Sequence, residues 1–151
     1  MRQVLMGILM IVLGATSVSA GSSEEETRSA LEKGDYARAM ALMRPLAEKG
    51  QAWAQNKLGW MYDMGKGMRQ DDKEAVRWYR KVAEQGDPLA QLWLGRMYRD
   101  GQGVPKDRVR AYMWLSLADA GLSGQKFVVH QDRLESDIES LERDLSTEEM
   151  D

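Results

Sequence analysis

Ala54–Trp78 recurs 36 residues later as Ala90–Trp114, and nothing else in the chain narrows its fold as far. Eleven of 25 aligned positions are identical: Ala54/Ala90, Gln55/Gln91, Leu58/Leu94, Gly59/Gly95, Met61/Met97, Tyr62/Tyr98, Gly65/Gly101, Gly67/Gly103, Asp71/Asp107, Ala75/Ala111 and Trp78/Trp114. Chance gives roughly one or two, so the chain reads as an array of one repeated unit. Apolar positions inside the unit follow helical spacing, and a Gly-x-Gly loop separates two helices. Stacked helix hairpins are the architecture this predicts.

The spacing predicts a helix from about Ala52 to Met64 with Ala54, Leu58, Met61 and Tyr62 on its buried face. Gly59 costs roughly 1 kcal/mol inside a helix, which points to close approach of a neighbour. Gly65-Lys66-Gly67 opens the loop. Asp71 is the expected cap of the second helix, with Glu74 in the reciprocal position and Ala75, Trp78, Tyr79 and Val82 facing inward. Asp87-Pro88 starts the second copy, whose loop is Gly101–Asp107 and whose second helix carries Ala111, Trp114, Leu115 and Ala118.

The 36-residue register extends backwards. Asp35, Asp71 and Asp107 align, as do Ala39, Ala75 and Ala111, and Gly50 with Gly86. Residues 21–49 therefore form a degenerate first hairpin: a short helix from a Ser23/Glu26 capping box to Lys33, then one capped by Asp35 that Pro45 should bend. Residues 50–85 and 86–121 are the full units. Residues 122–145 hold a one-faced, highly charged helix with Phe127, Leu134, Ile138, Leu141 and Leu145 on its apolar side, the pattern of a solenoid cap, and 146–151 read as a frayed tail. The expected fold class is all-α, with two and a half to three hairpins and a C-terminal capping helix.

Residues 1–20 read as a targeting segment. Arg2 supplies positive charge, Val4–Leu13 is apolar, and Val18-Ser19-Ala20 is a cleavage site before Gly21. The rival reading is an uncleaved anchor. The apolar run is roughly 15 Å long as a helix, against a hydrocarbon core of about 30 Å, which favours cleavage and a periplasmic or secreted destination. Removal leaves 20 basic against 24 acidic residues, a balance that gives no electrostatic reason to bind nucleic acid or anionic lipid. The chain has no cysteine, which excludes disulfides, a thiol nucleophile and a Cys-based zinc site.

The pattern Ala-Gln-x-x-Leu-Gly-x-Met-Tyr-x-x-Gly-x-Gly, followed by Asp, Ala and Trp-Tyr and ending Ala83-Glu84-Gln85-Gly86, resembles the Sel1-like repeat (SLR) of the tetratricopeptide-like α-solenoids. The resemblance covers residues 50–121 and, as a half-unit, 34–50. It weakens at Leu115–Gly121, which departs from the fuller form, and the absence of cysteine sets the chain apart from the cysteine-rich subtype. It implies a short right-handed superhelix used for protein–protein interaction, with the first helix of each unit lining a concave groove. Carried over on Leu58-Gly59 and Tyr62, the groove positions are Trp53, Asn56, Lys57, Trp60, Asp63 and Met64 in one unit. Their counterparts in the next are Leu89, Leu92, Trp93, Arg96, Arg99 and Asp100.

Trp78 and Trp114 share one repeat position and read as core. Trp53, Trp60 and Trp93 fit either packing between units or a binding surface, and Arg96, Arg99 and Asp100 either a partner's charges or a solvated face. Ser123, His130 and Asp132 do not form a triad, because residues 130 and 132 fall on different helix faces. The Gly-x-Gly loops lack a preceding strand and a following Lys-Ser/Thr, so they connect helices and do not cradle phosphate. No cofactor, catalytic or metal-ligand set is evident. The leading reading is an exported, non-enzymatic scaffold binding a protein or peptide. The alternatives are a peptidoglycan-related enzyme or enzyme inhibitor, and a self-associating structural subunit.

Overall fold

The computed structural model describes residues 20–123 and 128–148, and every regular element among them is an α-helix. The helices are α1 (Ala20–Glu32), α2 (Tyr36–Glu48), α3 (Ala52–Met64), α4 (Asp72–Ala83), α5 (Pro88–Asp100), α6 (Arg108–Leu122) and α7 (Val128–Glu148). The expected targeting segment falls outside the described residues except for Ala20, where α1 begins. Phe127 also falls outside them.

Aspartates set the helix starts. The Asp35 carboxylate accepts from the Arg38 N–H at 3.1 Å, Asp71 from Lys73 and Glu74, Asp107 from Arg110 at 2.8 Å, and Asp87 from Ala90 at 2.7 Å. Each such cap contributes about 1 kcal/mol. Two expected capping boxes do not form. Ser23 lies inside α1, where its carbonyl accepts from Thr27 Oγ1 at 2.7 Å. The Asp71 N–H goes to the Tyr62 carbonyl at 3.0 Å, and Glu74 pairs with Arg77 instead. The Asp107 N–H repeats the first of these bonds on Tyr98 at 2.9 Å, so the arrangement closes the interhelix loop in both units. α2 runs through Pro45 to Glu48.

The core fills the space between successive helices. Ala39, Met43 and Ala47 of α2 pack with Ala54, Leu58 and Met61 of α3 and with Trp78 of α4. A larger cluster joins Val76, Tyr79 and Val82 of α4 to Leu94 and Met97 of α5, Leu115 of α6, and Leu134 and Leu141 of α7. Trp78 is buried as expected, and Trp114 is half-buried against this second cluster. Gly59 and Gly95 are where the paired helices come closest. A Cβ on Gly59 would stand 2.8 Å from Tyr79 Cδ1, and one on Gly95 would stand 2.7 Å from Leu115 Cγ.

One set of contacts fixes how each unit sits on the one before. Arg44 donates to the Tyr62 hydroxyl at 2.9 Å, and one period later Arg80 donates to that of Tyr98 at 2.6 Å. The buried Gln55 amide donates to the Ala47 carbonyl, and that of Gln91 to Ala83. Gly67 rests on Tyr36 at the start of α2, and Gly103 on the Asp72 carbonyl at the start of α4, both with positive φ and no room for a Cβ. The Gly-x-Gly loops thus connect helices and also seat one unit on its predecessor.

α7 closes the stack. Leu134 and Leu141 are buried and Ile138 half-buried, while Tyr112 donates to Glu142 at 2.9 Å and Arg108 pairs with Asp144. The helix is longer than expected, continuing through residues 146–148, where the Ser146 and Thr147 hydroxyls bond back to the carbonyls of Arg143 and Asp144. Those hydroxyls find acceptors within the helix, so a Ser-Thr pair does not end it here.

Candidate binding groove

The first helices of the three hairpins, α1, α3 and α5, enclose an open groove of about 630 Å³. Trp53 and Trp60 stand seven residues apart and therefore on one face of α3, with Asn56 and Lys57 between them. Leu89 and Trp93 of α5 face them. The third wall is α1, through Glu24, Thr27, Arg28, Leu31 and Glu32, and Tyr79 of α4 also lines the groove.

Local bonds hold these side chains in place. The Trp53 indole donates to Gln51 Oε1 at 3.0 Å. Trp60 packs at a tilt against the Tyr36 ring, centroids 6.5 Å apart, and carries Lys57 Nζ 5.6 Å above its own ring. Asn56 donates to Asp87 Oδ1 at 3.2 Å, and the same oxygen caps α5, which ties the two walls together. Trp93 carries the Arg96 guanidinium 5.4 Å above its ring.

Beneath this surface, Tyr79 is 1% exposed and its hydroxyl has no hydrogen-bond partner. Burial pushes its ionisation up, with the negative charge of Asp63 adding to the effect, so the phenol stays protonated. The Asp63 carboxyl is itself raised, first by burial and then by Asp72. Among the described residues no cluster of three or more His, Cys, Asp or Glu could hold a metal ion. No helix among them is long and apolar enough to cross a membrane.

The family model for the Sel1 repeat matches residues 28–51, 54–87 and 88–118, more than half of the chain. The chain is a Sel1 repeat protein. Among solved structures, the Sel1 repeat protein of Oxalobacter formigenes is 33% identical, with a TM-score of 0.65, covering 80% of this chain and 87% of that one. A protective antigen of uropathogenic Escherichia coli displaying an SLR fold is 27% identical with a TM-score of 0.56, over 82% of this chain and 34% of that one. Cysteine-rich protein B of Helicobacter pylori shares the fold at 19% identity and a TM-score of 0.54, over 72% of this chain and 96% of that one. No curated protein matches. Sel1 repeats generally serve protein–protein interaction and are typically non-catalytic.

Six of the twelve positions expected on the groove of this Sel1 stack line it: Trp53, Asn56, Lys57, Trp60, Leu89 and Trp93. The others do not. Leu92 is 0% exposed and belongs to the core, because the third unit is covered on both sides. Arg96 and Arg99 both pair with Asp137 of α7, the former at 3.1 Å, and Arg99 also grips Asp100 at 2.7 Å. The capping helix thus takes the arginines that register alone assigns to a partner. Asp63 is half-buried and Met64 is 49% exposed, and neither lines the groove.

Sequence reasoning missed the α1 wall and Tyr79. The register could have supplied the first, since Glu24, Thr27 and Arg28 stand 36 residues before Trp60, Asp63 and Met64. Tyr79 reads correctly as core from its spacing, and no pattern in the sequence marks its hydroxyl as unpartnered.

Proposed function

We propose that this Sel1 repeat protein is an exported adaptor that holds a segment of a partner polypeptide in the groove between α1, α3 and α5. The observation that carries this reading is the gathering of Trp53, Trp60 and Trp93 around one open groove of about 630 Å³. Tryptophans supply large, rigid contact area and dominate binding energy where they occur at interfaces. The volume falls within the range of roughly 300–1,000 Å³ typical of ligand sites. Export rests on the apolar run Val4–Leu13 and the small residues before Gly21.

Site-specific photocrosslinking in the native cell tests the surface. A photoreactive amino acid at Asn56 or Leu89 should trap a partner, whereas one at Lys73 or Arg77 on the exposed side of α4 should not. Equal trapping from both faces, or none from the groove, removes the assignment. Cell fractionation with N-terminal sequencing tests export, and an intact N-terminus starting at Met1 in the cytosol would overturn it.

A further inference from the structure

Three observations bear on what kind of segment fits the groove, taking the binding role of this surface as proposed above. First, two of its tryptophans already serve as platforms for cations: Lys57 lies over Trp60 and Arg96 over Trp93. Among the described contacts Trp53 carries no cation, although its indole is fixed by Gln51. Second, the Tyr79 hydroxyl, able both to donate and to accept, has no partner and lies buried just beneath the groove. A buried hydroxyl without a partner is uncommon in a folded protein and is satisfied when a ligand donates to it.

Third, the charges of the lining do not cancel. Its carboxylates are Glu24, Glu32 and Asp87, and its cations Arg28 and Lys57. Arg28 is committed to Glu24 at 3.8 Å, and Lys57 to Trp60. Asp87 is committed to the α5 cap and to Asn56. Glu32 makes no ion pair among the described residues, and three carboxylates against two cations leave the lining one negative charge.

We infer that the groove accepts a lysine or arginine side chain of the partner segment, its aliphatic stem against Trp53 and Leu89 and its charged head among the free acceptors of the lining. Long basic side chains bury their stems on apolar surface while keeping the charge solvated or paired, and aromatic faces add cation–π attraction. An acidic segment would meet the unpaired Glu32 on a lining whose carboxylates outnumber its cations.

Three labelled nonapeptides with blocked ends test this: Gly-Ser-Leu-Ala-X-Ala-Leu-Ser-Gly, with X lysine, norleucine or glutamate, titrated with the full chain by fluorescence anisotropy. The lysine peptide should bind roughly tenfold more tightly than the glutamate peptide and more tightly than the norleucine peptide. Its advantage should shrink in 0.5 M salt, and Glu32→Gln, an exposed change that leaves the fold intact, should reduce it. Tyr79→Phe keeps the ring packed against Gly59 and should weaken the lysine peptide severalfold while leaving norleucine unchanged. Preference for norleucine or glutamate would overturn the cation assignment and leave the groove standing. Failure of all three to bind would overturn both.

Discussion

Asp137 decides whether the third unit's concave face is free or closed. Its carboxylate receives Arg96 and Arg99, and the Arg96 and Asp137 side chains are only 10% and 13% exposed. Asp137→Ala leaves Arg99 with Asp100 but strands Arg96, whose second terminal nitrogen already lacks a partner. Removing one member of a buried pair costs about 3–5 kcal/mol, because the remaining charge stays desolvated. The loss has a ceiling, however. If α7 lets go of α5 the guanidinium regains water, so the penalty cannot exceed what docking of α7 contributes. Urea unfolding should therefore report a drop of up to about 3–5 kcal/mol, and hydrogen exchange should report lost protection confined to α7. The double change Arg96→Met with Asp137→Leu should recover to within about 1 kcal/mol of the parent, since apolar replacement of a buried pair is close to neutral. A single variant within 0.5 kcal/mol of the parent, about the size of an ordinary surface change, with α7 protection intact, would refute the reasoning and return Arg96 to the list of groove residues.

Other outcomes follow from the same contacts. Gly95→Ala should destabilise by about 1–2 kcal/mol despite better helix propensity, because the new methyl meets the Leu115 branch carbon and backbone nitrogen. Gly59→Ala meets only ring carbons of Tyr79 and should cost less; thermal unfolding of the pair checks the order. Arg80→Met removes both the bond to the Tyr98 hydroxyl and the guanidinium 5.9 Å from its ring, for a loss of roughly 1–2 kcal/mol in chemical denaturation. Asp63 has a raised carboxyl pKa, so its ionised form is disfavoured by folding. Asp63→Asn should therefore stabilise the protein at pH 7, and the gain should vanish below about pH 3.9, where the carboxyl is protonated folded or unfolded; denaturation midpoints across that range test the sign.

The helices were legible because their signals are local. Asp35, Asp71, Asp87 and Asp107 mark starts, and the apolar spacing of Ala54, Leu58 and Met61 marks a buried face, so α3 falls on its expected limits of Ala52 and Met64. The tryptophan groove was legible in part because repeat register places equivalent residues on equivalent faces. The same register fails at Arg96 and Leu92, where α7 follows α5 in place of another full unit and covers what the second unit leaves open. Which helix packs on an end is a property of the whole chain, and no pattern within one unit encodes it. Arg44 and Arg80 lie one period apart, yet their role became visible only with the hydroxyls of Tyr62 and Tyr98 in place.

The contacts that seat one unit on the next reach back only 8 to 31 residues, from Gln55 to Ala47 and from Gly103 to Asp72. The principal helix packings likewise join helices adjacent along the chain. Closing such short loops costs little entropy, and low contact order makes for rapid folding. Each hairpin can dock as soon as its second helix has been synthesised, without waiting for the C-terminus. A chain emerging in order would grow its structure one hairpin at a time, and only α7 must arrive last.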